Sequence, residues 1–226
     1  MNSSSHHFSH VVRHRRSMRE FLPQALPSEL IQAVLEDAQQ APSNCNTQPW
    51  QVHVVSGAKR DELAMALSAA DDADQFTPDY YFDMSEYPEV YAKRAQSSAK
   101  ARYDAIHVAR EDKDGRAKAM RQNLSFFGAP HVALLFMPAL GDSVRVASDL
   151  GMYGQTFLLS LTAHGLAGIP QTLLGMYADT VREVLGIDSD MKMLFGISFG
   201  YADRAAVAND ITVGRIPVSH SVTFHG

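Results

Sequence analysis

The sequence predicts an α+β protein built as one domain. Segments of helical and of strand periodicity are mixed along the chain, without the regular strand–helix–strand alternation of a parallel α/β sheet. With 226 residues and 46% hydrophobic content, the chain can close a core of its own, burying roughly 70% of its unfolded surface. No repeat or low-complexity linker divides it, and the polar stretch over about 71–125 reads as an insertion within that domain.

Residues 1–10, "MNSSSHHFSH", are polar and are expected to form a flexible N-terminus, leaving 11–226 as the folded unit. After Pro27, Ser28 is placed to cap a helix with Leu30, Ile31, Val34, Leu35 and Ala38 on its apolar face, and Pro42 closes it. Residues 51–55 are rich in β-branched side chains and read as a strand; 61–70 read as a second helix. From 71 to 88 the chain is acidic and aromatic, with Tyr80, Tyr81, Phe82 and Tyr87, and lacks a period. Residues 89–123 read as helical and highly charged. Residues 131–137, after Pro130, form a strong strand pattern. Val146, Leu150, Tyr153, Phe157 and Leu161 mark a long, mostly buried helix that Gly165 terminates. A short helix over 180–185 stops at Gly186, residues 193–201 form a last strand, and an extended tail follows Asp203.

Composition removes several function classes. A net charge of −5 argues against a basic nucleic-acid binder, yet it leaves room for a local arginine cluster. The single cysteine, Cys45, rules out an intrachain disulfide and a cysteine-based zinc site, and a cytoplasmic location is the natural expectation. The N-terminus lacks the apolar segment of a secretory signal. The most apolar region, 152–166, is interrupted by Gln155, Ser160, Thr162 and His164, so no membrane span is expected. There is no P-loop, no G-x-G-x-x-G after a strand, no G-x-S-x-G elbow and no H-E-x-x-H. His6, His7, His10 and His14 read as solvated side chains, and no metal is expected. Cys45 lacks an evident histidine partner and reads as a small filler rather than a nucleophile. No carboxylate pair stands out as an acid/base couple, so no catalytic side chain is assigned.

Two stretches carry chemistry. In "RHRRSMREF", Arg13, Arg15, Arg16, Ser17 and Arg19 set up a local positive field on an acidic chain. Guanidinium forks suit phosphate oxygens; the competing reading is a solvated basic turn. In "APSNCNTQPW", residues 41–50, Ser43, Asn44, Asn46 and Gln48 crowd a connection between helix and strand. About 2–6 residues are usually enough for such a link. Their donors and acceptors match the edge of a flat heteroaromatic; the competing reading is a polar turn satisfying its own backbone.

Together, "RRSMREF" and, one helix later, "APSNCNTQPWQVHVV" resemble the N-terminal signature of the FMN-dependent nitroreductase family. "GLAGIPQTLLGMYADTVREVLGI" resembles its second flavin-contact segment, "MLFGISFGYAD" the strand that follows, and "VGRIPV" its C-terminal phosphate-contacting segment. "RQNLSFFGAPHVALLF" and the length of the insertion resemble the nitrobenzoate-reductase-like branch. The likeness spans about residues 11–220. It implies a nitroreductase-like fold, with a central mixed or antiparallel sheet surrounded by helices. It further implies an intertwined homodimer, with each FMN at the interface and the helix around 150–161 forming part of that interface.

The same resemblance implies residue roles. Arg15, Arg16, Ser17 and Arg19 would hold the FMN phosphate and ribityl chain, and Arg215 would add a second cation at the phosphate. Pro42, Ser43, Asn44 and Asn46 would come from the other copy and border the ring and ribityl chain, with Gln48 bracing the loop. Pro170, Gln171, Thr172 and Leu173 would pass beside the isoalloxazine, and Asn123 would lie near the ring. Phe126, Phe127 and the aromatics of 80–91 are candidates for the acceptor pocket. The implied activity uses tightly bound FMN and takes electrons from NAD(P)H to a small electron-poor acceptor, a nitroaromatic or a quinone, by ping-pong turnover. Neither nucleic acid nor membrane is expected as a partner. Flavin fragmentation and reductive dehalogenation by the same fold stay open, as does a non-catalytic flavin-binding or interaction protein.

Overall fold

The structure, a computed structural model, describes residues 8–226. His6 and His7 lie outside the described residues, and Phe8, Ser9 and His10, expected to fray, open helix α1 (Phe8–His14). The other helices are α2 (Ser28–Ala38), α3 (Gly57–Asp72), α4 (Glu89–Ala105), α5 (Lys113–Arg121), α6 (Val144–Ala163) and α7 (Ala178–Leu185). The strands are β1 (Gln51–Ser56), β2 (His131–Pro138), β3 (Ala167–Gln171) and β4 (Met191–Gly200). They form one sheet in the order β1-β2-β4-β3, antiparallel at every step.

Strand β2 shows how the layers arise. Successive side chains of a strand point to opposite faces. Val132, Leu134 and Phe136 meet Leu63 and Leu67 of α3 and Ala178 and Val181 of α7. Ala133, Leu135 and Met137 meet Val34 and Ala38 of α2 and Leu150, Tyr153, Phe157 and Leu161 of α6. Helices cover both faces, so the strand is apolar without alternation. The apolar stripe of α6 is therefore spent inside its own chain; Ser148, Gly151 and Gln155 face outward.

Three expectations need correction. Ser28 does not cap α2: Pro27 holds the cap position without a side-chain hydrogen bond, and Ser28 is already helical. The charged stretch 89–123 is not helical throughout but forms the two helices α4 and α5. It breaks at His107, which takes a left-handed φ of 55°, and restarts where the Asp112 carboxylate accepts the Gly115 N–H at 2.8 Å. Strand β3 was not anticipated because Gly168 and Pro170 look like loop punctuation. β3 has one strand neighbour, β4, and lies at the edge of the sheet, where proline is tolerated. Gly168 lets α6 approach, since a Cβ there would lie 2.8 Å from Leu161. Gly165 and Gly186, at φ of 74° and 67°, end α6 and α7 as expected.

Residues 73–88 have little regular structure beyond a 3-10 turn at Met84–Glu86. They are pinned by a buried ion pair. Arg182 on α7 donates to both oxygens of Asp79, at 2.7 and 3.0 Å, and Asp79 also accepts the Met193 N–H of β4 at 2.8 Å. The Asp79 and Arg182 side chains are 5% and 9% exposed, so water contributes little to their solvation.

His131 is buried at the start of β2. Its Nε2 accepts the Leu26 N–H at 2.9 Å, which places the ring proton on Nδ1, directed at the Ser56 hydroxyl. Burial lowers its pKa below the ordinary 6.5. The unfolded chain therefore takes up this proton first as pH falls. Stability is expected to be complete above about pH 6.5 and to decline as pH falls through the lowered pKa, by at most about 1.4 kcal/mol per pH unit from this residue. Urea unfolding of wild type and His131→Gln across pH 7 to 5 checks this: the variant should show the shallower pH slope.

Candidate functional site: an arginine cluster and a distant amide loop

Residues 15–19 leave α1 in extended form and lie against the outer edge of the sheet. Ser17 bridges Gly168 of β3, and the Met18 N–H donates to the Gly168 carbonyl at 3.4 Å. An extended backbone sends alternate side chains to opposite sides. Arg16 and Met18 accordingly line a cavity of about 1240 Å³ with Thr162, Tyr201 and Thr212, whereas Arg15, Ser17 and Arg19 do not. The Arg16 guanidinium donates to the Thr212 hydroxyl at 3.3 Å. Arg16 thus stands apart from Arg15 and Arg19 and shares this cavity with Arg13, a division the sequence spacing does not reveal.

The remaining arginines gather from across the chain. Arg15 is held below its ordinary pKa by burial and by the nearby Arg215 cation of the C-terminal tail. Burial and the Arg102 cation of α4 push Arg19 down to about 10. The Arg102 guanidinium donates to the Ala119 carbonyl at 2.5 Å and lies over the Phe127 ring, 5.6 Å from its centroid. Asn209 holds the segment in place: its side-chain oxygen accepts the Arg19 N–H at 2.6 Å and its amide donates to the Glu20 carbonyl at 2.7 Å. Among the described residues, no carboxylate forms an ion pair with Arg15, Arg16, Arg19, Arg102 or Arg215. Arg15, Arg19 and Arg102 are partly buried cations without acid partners, a setting that suits an anionic ligand.

The segment after β3 joins this region. Pro170 is exposed at the sheet edge, and Thr172 opens the 3-10 turn Thr172–Tyr177, with Leu173 partly buried behind it. Gln171 turns inward instead. It donates to the Asn123 carbonyl at 3.0 Å and to the Asn123 side-chain oxygen at 3.3 Å, and it accepts from the Ser198 hydroxyl. Gln171 and Asn123 are thus brought together, but as a buried brace between β3 and the end of α5. Phe126 and Phe127, candidates for the acceptor pocket, are 0% and 4% exposed and belong to the core. Tyr81, Phe82, Tyr87 and Tyr91 are exposed, while Tyr80 packs on the α2–α6 side.

Pro42, Ser43, Asn44, Asn46 and Gln48 lie elsewhere. Cys45, Asn46 and Gln48 all take left-handed φ values, of 51°, 55° and 48°. Such backbone is costly for residues other than glycine and is held by local bonds. The buried Asp149 of α6 accepts the Asn44 N–H at 3.0 Å, and Ser43 Oγ accepts the Gln48 N–H at 2.9 Å. Gln48 donates to the Asn46 carbonyl at 3.2 Å and accepts from Gln39 at 3.3 Å, so it braces the loop. The Asn46 amide and the exposed face of Asn44 are left toward solvent.

The amide loop and the arginine segment lie at opposite ends of α6, the loop near Asp149 and Arg16 and Met18 of the segment near Thr162. Thirteen helical residues span about 20 Å. The two also flank opposite edges of the sheet, β1 and β3. One chain therefore cannot close both around a single small ligand. Sequence reasoning missed Arg102, Asn209, Thr212 and Asp149. Of these, only Asp149 left a signal, as a lone acid on the apolar face of a helix.

Among the described residues no cluster of three metal-ligating side chains exists, and no described helix is long and apolar enough to cross a membrane.

Comparison with known proteins bears on this geometry. The chain is 44% identical over 214 residues to nitroreductase NfnB of Mycolicibacterium smegmatis, covering 95% of this chain and 91% of that one. It is 31% identical over 210 residues to a 4-nitrobenzoate reductase of Pseudomonas putida, covering 92% and 91%. The crystal structure of the FMN-dependent nitroreductase NfnB from Mycobacterium smegmatis in complex with NADPH superposes with a TM-score of 0.92 at 42% identity, covering 96% of this chain and 97% of that one. Residues 12–201 match the profile of the Nitroreductase family. On both sequence and fold, the chain belongs to the nitroreductase family.

Proposed function

We propose that this chain is a cytoplasmic, homodimeric FMN enzyme that passes electrons from NAD(P)H to an electron-poor acceptor such as a nitroaromatic or a quinone. The observation that carries the reading is the partly buried Arg15, lowered in pKa by burial and by the Arg215 cation from the opposite end of the chain, with neither residue in an ion pair among the described residues. A phosphate dianion is the natural occupant of such a pair. Arg15, Ser17, Arg19 and Arg215 would hold the phosphate and ribityl chain of FMN. Pro170, Thr172 and Leu173 would border its ring through backbone, with Gln171 and Asn123 fixing that backbone from behind. Arg16 would act through the segment rather than on the phosphate. Pro42, Ser43, Asn44 and Asn46 would reach the ring from the second copy, and the separation of loop and cluster is what favours a dimer. Exposed Ile216, Val218, Val222 and Phe224 on the C-terminal tail supply apolar surface for that contact.

Bound FMN would supply the redox chemistry, accepting hydride at N5 and returning electrons to the acceptor. The chain's own residues would orient it and leave one face open for both substrates in turn. No side chain is given an acid or base role. Pure protein should be yellow and release FMN, not FAD, on denaturation. Initial rates with NADPH and a nitroarene should give parallel double-reciprocal lines. A colourless protein that cannot be reconstituted with FMN, or intersecting lines that demand a ternary complex, would reject this reading. Assays with a halophenol and with free reduced FMN separate it from dehalogenation and flavin fragmentation.

A further inference from the structure

Asp149 occupies a position on α6 that the packing alone would give to an apolar side chain. It stands three residues after Val146 and four before Tyr153, on the stripe that faces the core. It is 3% exposed. Burying a carboxyl group is costly unless partners compensate it, and a buried acid is weak evidence for stability. Its hydrogen bond goes to the Asn44 N–H of the amide loop, at 3.0 Å.

The loop depends on that bond. Residues 43–46 otherwise bond only among themselves and to Thr47 and Gln48. The Asn46 N–H donates to the Ser43 carbonyl at 3.1 Å, the Thr47 hydroxyl to the Asn44 carbonyl at 2.9 Å, and Gln48 to Ser43 and to Asn46. Among the described residues, the bond from Asn44 to Asp149 is the only hydrogen bond tying 43–46 to anything beyond residue 48. Cys45 and Asn46 meanwhile hold left-handed backbone, which persists only where the surroundings fix it. Asn44 itself is exposed, so water could satisfy its N–H without the carboxylate. The bond is thus dispensable for the Asn44 N–H and does not explain a buried acid through stability. What it does accomplish is to set where the loop sits.

We propose that Asp149 is a positioning residue for the flavin, holding the amide loop in its binding-competent place before the cofactor arrives. The inference rests on the reading above, in which Ser43, Asn44 and Asn46 border the flavin of the other copy. FMN binds the molecules whose loop is in place, so its apparent affinity falls in proportion to that fraction.

Asp149→Leu completes the apolar stripe and removes the anchor. FMN affinity should fall roughly 10- to 100-fold, the worth of one hydrogen bond to a charged group, while the apoprotein melts no lower than wild type. Asp149→Asn keeps an oxygen acceptor for the Asn44 N–H and should recover part of the affinity. In unmodified apoprotein the Asn44 amide should already be protected from hydrogen exchange, a readout that stands even if the leucine variant fails to fold. Wild-type FMN affinity in Asp149→Leu overturns the proposal, and a lowered melting point at unchanged affinity does so too, leaving Asp149 a purely structural residue. An Asn44 amide that exchanges freely until FMN is added also overturns it. Asn46→Ala separates the two levels of the argument. Unchanged FMN affinity in that variant rejects the contact between loop and flavin, whereas a loss there with none in Asp149→Leu rejects only the role of Asp149.

Discussion

Alanine at both Arg15 and Arg215 is expected to weaken FMN binding by roughly 100- to 10,000-fold, with the apoprotein no less stable than wild type. Each charge-assisted hydrogen bond is worth about 1.5–3 kcal/mol, and every 1.4 kcal/mol is tenfold in affinity. The stability half of the expectation comes from the sign of the contact. Without an anion, the partly buried Arg15 guanidinium sits beside the Arg215 cation, and among the described residues no carboxylate pairs with either to offset them. Removing either relieves repulsion. An ordinary structural arginine would behave the other way, since its loss would destabilise the fold and leave ligand affinity alone. Fluorescence titration with FMN and thermal melts of the apoprotein together decide: wild-type affinity in the double variant rejects the phosphate clamp.

The largest effect on the fold itself is expected at Asp79. Asp79→Ala leaves Arg182 charged and buried without its main partner. Breaking one side of such a pair typically costs about 3–5 kcal/mol, because the surviving charge keeps its desolvation penalty. For a chain of this size that is roughly 6–20 °C in Tm. Arg182 keeps Asp179 at 2.6 Å, but that carboxylate is exposed and compensates weakly. Replacing both residues, Asp79→Ala with Arg182→Met, should recover much of the loss, since the one charge left without Asp79, Lys192, reaches solvent. Equal melts for the single variant and wild type would show that the pair contributes nothing net. The single variant should also admit protease between residues 73 and 88, the stretch the pair pins.

The legible parts of this protein were those whose signal is local. The helical stripe of α6, the strand pattern of β2 and the glycine stops at Gly165 and Gly186 each follow from neighbours within a few residues. The N-terminal arginine motif and the amide loop could be read because their residue types are unusual for their positions. One local signal still misled: Ser28 looked like a cap although Pro27 already occupied that place; and Phe126 and Phe127, only candidates for a pocket wall, are held as core under the sheet. The parts that stayed hidden depend on distance. Strand β3 is a strand only because β4 runs beside it. Arg16 parts from Arg15 and Arg19 because the segment lies extended on that edge. Arg102 is one cation among many on a charged helix until α5 and Phe127 fix where its end lies.

The separation of the amide loop from the arginine cluster by the length of α6 has a genetic consequence. On the proposed dimer each site draws one half from each copy, so damage to the loop and damage to the cluster fall on different halves. Co-expressing a loop-defective chain with a cluster-defective chain assembles mixed dimers in which one site collects both lesions and the other collects none. Two inactive alleles would then complement each other, restoring up to one working site in every mixed dimer. Cofactor retention would also depend on protein concentration, because dilution that parts the copies takes away half of the walls around every site.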